Sequence, residues 1–144
     1  MLQKLLLTVA LLAFGGAAQA QQASPAACRT VRTGHFRVPS DDKVSQDSFV
    51  ERGPDSQIET AEAGKLKLLY SVKWLDDCTY ELRFVKTLKG SREYELPPDA
   101  VLTVHILEVT DKAYTSSVTS SFSDMKLDLK MDILPGKPIA TPSR

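Results

Sequence analysis

Two histidines, His35 and His105, are the side chains of this sequence whose ordinary titration falls near neutral pH. A hydrolytic triad needs such a base beside a nucleophile, and a zinc site needs three or four ligands. Neither requirement is met by spacing. His35 follows Gly34, His105 sits inside the apolar run Val101–Thr110, and Glu108 has the wrong parity to share a strand face with His105. Both histidines therefore read as packed or surface residues. The acidic pairs Asp41-Asp42 and Asp76-Asp77 lack the alternating oxygen ligands of a calcium loop and read as turn formers. No phosphate-cradling glycine loop, HExxH, GxSxG or CxxC occurs. The sequence thus assigns no catalytic residue, no metal and no cofactor, and leans away from an enzyme.

The aromatic residues are more informative. Tyr70, Trp74, Tyr80 and Phe84 fall at even spacing on two neighbouring runs and share one face. Enclosed by a barrel, they would line an apolar ligand pocket; packed together, they would simply be the core. Arg52 and Gln57 bracket the turn cluster Gly53–Ser56. They are candidate polar contacts for a ligand or partner, and equally a pair that meets across a hairpin.

The elements that must position these residues have a period of two. Leu66–Trp74 alternates apolar and polar positions over nine residues, and Cys78–Val85 does the same after a short Leu-Asp-Asp turn. Met125–Leu134 alternates Met, Leu and Ile with Lys and Asp; on a helix those charges would surround the whole circumference. Thr30–Val38, Ser48–Arg52, Gln57–Ala61, Val101–Thr110 and Ala113–Ser121 complete about eight short strands. Gly34 suggests a bulge or close backbone approach, and Thr87–Pro98 reads as a loop. The expected fold is all-β: a small antiparallel meander barrel or strongly curled sheet, with a two-sheet sandwich as the alternative.

The N-terminus reads as an export signal. Lys4 precedes the apolar run Leu5–Phe14, Gly15-Gly16 ends it, and Ala18-Gln19-Ala20 offers the small-x-small cleavage pattern. The run is too short to span a bilayer, which takes roughly 20 apolar residues. Acylation at Cys28 is disfavoured, because Pro25-Ala26-Ala27 lacks the aliphatic residue expected before a lipid-bearing cysteine. The organisation is then a signal helix at 1–20, a flexible leader at 21–27, a β-domain at 28–134 and a disordered tail at 135–144. Without Lys4 the remaining chain has 17 basic and 18 acidic residues. That balance offers no field for a nucleic-acid backbone or an anionic membrane. In an exported chain the pair Cys28 and Cys78 favours a disulfide over free thiols.

Cys28, the Thr33–Phe36 segment TGHF, Glu51-Arg52, Gln57-Ile58-Glu59 and the block Trp74-Leu75-x-x-Cys78-x-Tyr80-x-Leu82 together resemble a family of small secreted bacterial proteins. The family is of Bacteroidetes type, and some members carry a mistaken DNA topoisomerase label. The resemblance covers roughly residues 28–134 and implies a secreted β-domain with a Cys28–Cys78 bridge. It transfers no catalytic residue. The expected function is a periplasmic or extracellular β-domain that binds a small apolar ligand or a protein partner. The alternatives are an envelope or adhesion-associated structural module and a hydrolase or isomerase using His35 or His105.

Overall fold

The computed structural model describes residues 22–42 and 45–136. The expected signal peptide and all but the first two residues of the expected tail lie outside the described residues. Eight strands form one closed antiparallel barrel in meander order. They are β1 (Gly34–Val38), β2 (Ser48–Arg52), β3 (Ser56–Ala61), β4 (Leu66–Trp74), β5 (Thr79–Lys89), β6 (Leu102–Val109), β7 (Ala113–Ser120) and β8 (Lys126–Leu134). Each strand pairs with its sequence neighbour, and β8 closes on β1 through Arg37–Asp132, Phe36–Ile133 and His35–Leu134. The barrel expectation holds, and the sandwich alternative does not.

Alternation decides which side chain enters the barrel. On β4, Leu66, Leu68, Tyr70 and Val72 are buried while Lys67 and Lys73 are exposed. Phe36, Val50, Tyr80, Leu82, Val104, Ile106, Tyr114 and Met131 join them in one core. One strand in a barrel has two neighbours, so this single inward row from each strand suffices to fill the interior.

Three local features differ from expectation. β5 runs on to Lys89, four residues past Val85, because two register shifts in its pairing with β4 let the strand coil and keep its ladder. The first strand begins only at Gly34, whose φ of +145° is rarely adopted by residues with a side chain and where a Cβ would stand 3.2 Å from the Phe36 ring. The leader is also more ordered than a flexible segment would be. Ser24 caps a one-turn helix, α1 (Pro25–Arg29), by accepting from the Ala27 N–H at 3.1 Å, and the Ala23 N–H donates to the Leu107 carbonyl at 2.7 Å.

Cys28 of α1 is bonded to Cys78, at the foot of the β4–β5 hairpin, with Sγ–Sγ 2.08 Å and Cα–Cα 5.1 Å. Arg29 and Arg32 flank this bridge and both reach Asp77, at 2.8 and 3.2 Å. Asp76 accepts from the Cys78 N–H at 2.8 Å and so shapes the turn, as its residue type and position suggest. The disulfide therefore fastens the plug-like N-terminal turn to the barrel.

Candidate functional site

The interior is organised around a buried charge. Arg52 ends β2 and Gln57 stands opposite it on β3 in direct register. Both are almost wholly inaccessible to solvent. The Arg52 guanidinium donates from Nε to Gln57 Oε1 at 2.7 Å, from Nη1 to the Val31 carbonyl at 2.9 Å and from Nη2 to the Tyr114 hydroxyl at 2.7 Å. Gln57 Nε2 passes the chain on to Glu59 Oε1 at 2.8 Å, and the Tyr114 hydroxyl donates to the Met131 sulfur. Aromatic faces complete the surround: the guanidinium carbon lies 4.6 Å from the Tyr80 ring centre, 4.8 Å from Phe36 and 5.8 Å from Tyr114. A desolvated cation is tolerable only when its donors are paired and its faces meet π-electrons or an opposite charge. Arg52 has all three of its nitrogens hydrogen-bonded and three aromatic rings around it.

The electrostatics follow from burial. For Glu59, desolvation is the largest influence and raises its pKa, while the Gln57 hydrogen bond and the Arg52 charge oppose it; the net direction is upward. For Arg52 burial works against the charge, but Tyr80, Tyr114 and Glu59 outweigh it and the net direction is again upward. Burial drives the Tyr80 phenol well above the ordinary range, with Arg52 pulling the other way. Arg52 thus stays a cation, and the acid two bonds away is biased toward its neutral form. The Tyr80 and Ser116 hydroxyls are buried without a hydrogen-bond partner of good geometry.

The sequence-derived site residues converge in part. Tyr70, Trp74, Tyr80, Phe84, Arg52 and Gln57 all belong to the inward rows or the apolar cluster packed on them. Trp74 and Tyr80 rings stack tilted at 4.6 Å, and Tyr70 meets Phe84 edge-on at 5.9 Å. Arg52 and Gln57 take the option of pairing with each other. Sequence reading missed Val31, Phe36, Glu59, Tyr114 and Met131. Glu59 carried a usable signal, since it is two residues after Gln57 on the same face. Tyr114 carried none, because it is 62 positions away from Arg52.

Four clefts are peripheral to these residues. One of about 440 Å³ is bordered by Ser45, Ser48, Ala61 and Lys65. Another of about 350 Å³ lies between Phe84 and the Leu96–Ala100 segment, and one of about 490 Å³ lies under Lys86–Gly90. A small one of about 120 Å³ sits by His35 and Phe49. None of these four is bordered by Tyr70, Trp74, Tyr80, Arg52 or Gln57.

The histidines stand outside the core. His105 pairs in register with Thr79, and its Nδ1 lies 2.9 Å from the Thr79 hydroxyl. Asp76 stands on the other side of Thr79, close enough for Thr79 to lower its pKa. A triad needs imidazole between hydroxyl and carboxylate, so that one proton relay runs through the base. Here the hydroxyl is in the middle. His35 lies on β1, with Gly136 against its ring. Among the described residues no three His, Cys, Asp or Glu side chains cluster as a metal site would require. No described helix is long and apolar enough to cross a membrane. Comparison of the chain with family models, with curated proteins and with solved structures finds no match.

Proposed function

We propose that this chain is an exported, non-enzymatic β-barrel module that acts by binding a protein partner through its outer surface. The observation that carries this reading is the packing around Arg52. The face that would hold a small apolar ligand is instead filled by a guanidinium, its hydrogen-bonded partners and three aromatic rings. An apolar molecule entering there would have to break a buried, hydrogen-bonded charge network, which costs several kcal/mol, on the order of 3–5. The order of groups at Asp76, Thr79 and His105 argues in the same direction for catalysis. The Cys28–Cys78 bond is compatible with an oxidising, exported compartment.

The test is a thermal-shift screen of apolar ligands combined with native mass spectrometry, set beside in-cell crosslinking. The expected result is no retained ligand, and a crosslinked protein partner that reports on outward-facing positions. An apolar molecule retained at one per chain, and lost on Tyr80→Ala, would overturn the reading.

A further inference from the structure

β8 is paired far more fully on one side than on the other. Its β7 side is occupied from Lys126 to Asp132, whereas β1 covers only Asp132–Leu134. Among the described residues, no strand pairs with the other edge of Lys126–Met131. The Ile133 N–H donates to Lys112, on the β7 side, at 2.7 Å. The register with β7 is unbroken, so odd residues of β8 direct their backbone groups to β7 and even ones direct theirs to the open edge. Lys126, Asp128 and Lys130 therefore present unpaired N–H and C=O groups. Beside them Leu127 is 43 % exposed and Met125 60 % exposed.

We infer that this edge pairs with the same edge of a second copy of the chain, antiparallel, about a two-fold axis at Leu127. The sequence Asp124-Met125-Lys126-Leu127-Asp128-Leu129-Lys130 is self-complementary about its centre. In that register Lys126 faces Asp128 of the second copy, Asp124 faces its Lys130, Met125 faces its Leu129, and the two Leu127 side chains meet. The backbone parity agrees: Lys126 and Asp128 both point outward and form a hydrogen-bonded pair. Edge lysines ordinarily deter pairing. Here each has an acid opposite it. Moving the axis by one residue, to Asp128, would set Lys126 against Lys130 and Asp128 against itself, so the charges exclude that one-residue slip. None of these four charged residues is in an ion pair among the described residues. The inference does not rest on the partner reading above: a homodimer with no other partner keeps this one and loses that one.

The experiment is analytical ultracentrifugation of the purified protein, wild type, K126D and D128K, alone and mixed. Wild type is expected to dimerise reversibly. Each single variant sets two like-charge pairs across the axis and is expected to dimerise at least about tenfold more weakly. An equimolar mixture of the two variants restores opposite charges at both pairs, so it should dimerise again, as should the double variant K126D/D128K. A wild-type protein that stays monomeric at its solubility limit would overturn the inference. So would a dimer indifferent to K126D, or variants that fail to recover on mixing. Both substitutions lie on exposed positions of one strand, and circular dichroism verifies that the barrel is intact.

Discussion

Arg52 and Gln57 are cross-strand partners whose side chains meet inside the barrel, Nε to Oε1, at 2.7 Å. A hairpin that placed the same pair on its outer face would gain a fraction of a kcal/mol, about 0.2–1. Inside, the pair fixes a cation in a space that offers no water. It also ties β2 and β3 to β7 through Tyr114 and to the N-terminal segment through Val31. The barrel closes around a hydrogen-bonded charge.

Replacing Arg52 by Ala leaves Gln57 Oε1, the Val31 carbonyl and the Tyr114 hydroxyl without their donor in a closed space. The expected loss is about 3–5 kcal/mol, read from urea denaturation. Arg52→Lys should lose nearly as much, since one ammonium cannot face three acceptors in the guanidinium plane. A loss under about 1 kcal/mol for Arg52→Ala would show that the network contributes little.

Glu59 gives the barrel a pH signature. Its pKa is raised in the folded state, chiefly by burial, above the ordinary 4.5. The folded protein then holds the proton more tightly than the unfolded chain. Its stabilising contribution is complete below the unfolded pKa and is lost as pH rises through the folded one. Wild type minus Glu59→Gln, compared by denaturation midpoint, should therefore fall from acid toward neutral pH. A difference that is flat or rises with pH would contradict the direction.

Reduction of Cys28–Cys78 releases a closed loop with a sequence separation of 50. Chain entropy alone gives roughly 4 kcal/mol for such a loop. A Cys28→Ser/Cys78→Ser variant should unfold at markedly lower urea, and intact mass should rise by two hydrogens on reduction of the wild type. Free thiols in the protein purified without reductant would refute the bridge.

Gly90 and Gly64 separate two penalties. Both have positive φ, +98° and +85°. A Cβ at Gly90 would sit 2.8 Å from the Lys65 carbonyl oxygen, whereas one at Gly64 meets nothing within 4 Å. Gly64→Ala should cost only the left-handed backbone penalty, about 1–2 kcal/mol. Gly90→Ala should cost more, because backbone must move; equal thermal shifts would sink the distinction.

Alternation alone made the barrel legible. Leu66–Trp74 is a strand in both readings, and Ser48–Arg52 likewise, because a half-buried strand writes its inward row into every second residue. The same rule put Tyr70, Trp74, Tyr80 and Phe84 on one side. It did not carry β5 to Lys89, since a bulge shifts the register and breaks the pattern that reveals the strand. It did not reveal α1 either, where a Ser-Pro start and a single turn leave too short a period to read.

What the sequence by itself determined is local: strand parity, turn chemistry at Gly53–Ser56 and Asp76-Asp77, and a near-neutral charge. What only the tertiary structure decided is which of two outcomes those rows produce. Whether six inward residues enclose a pocket or a filled core depends on what arrives from the opposite wall. Tyr114 and the Val31 carbonyl arrive there from 62 and 21 residues away and accept hydrogen bonds from Arg52. Barrel closure also left one edge of Lys126–Met131 without a strand partner among the described residues, because β1 stops short of it. Neither fact has a local signature, since both arise from the relative reach of strands distant in the chain.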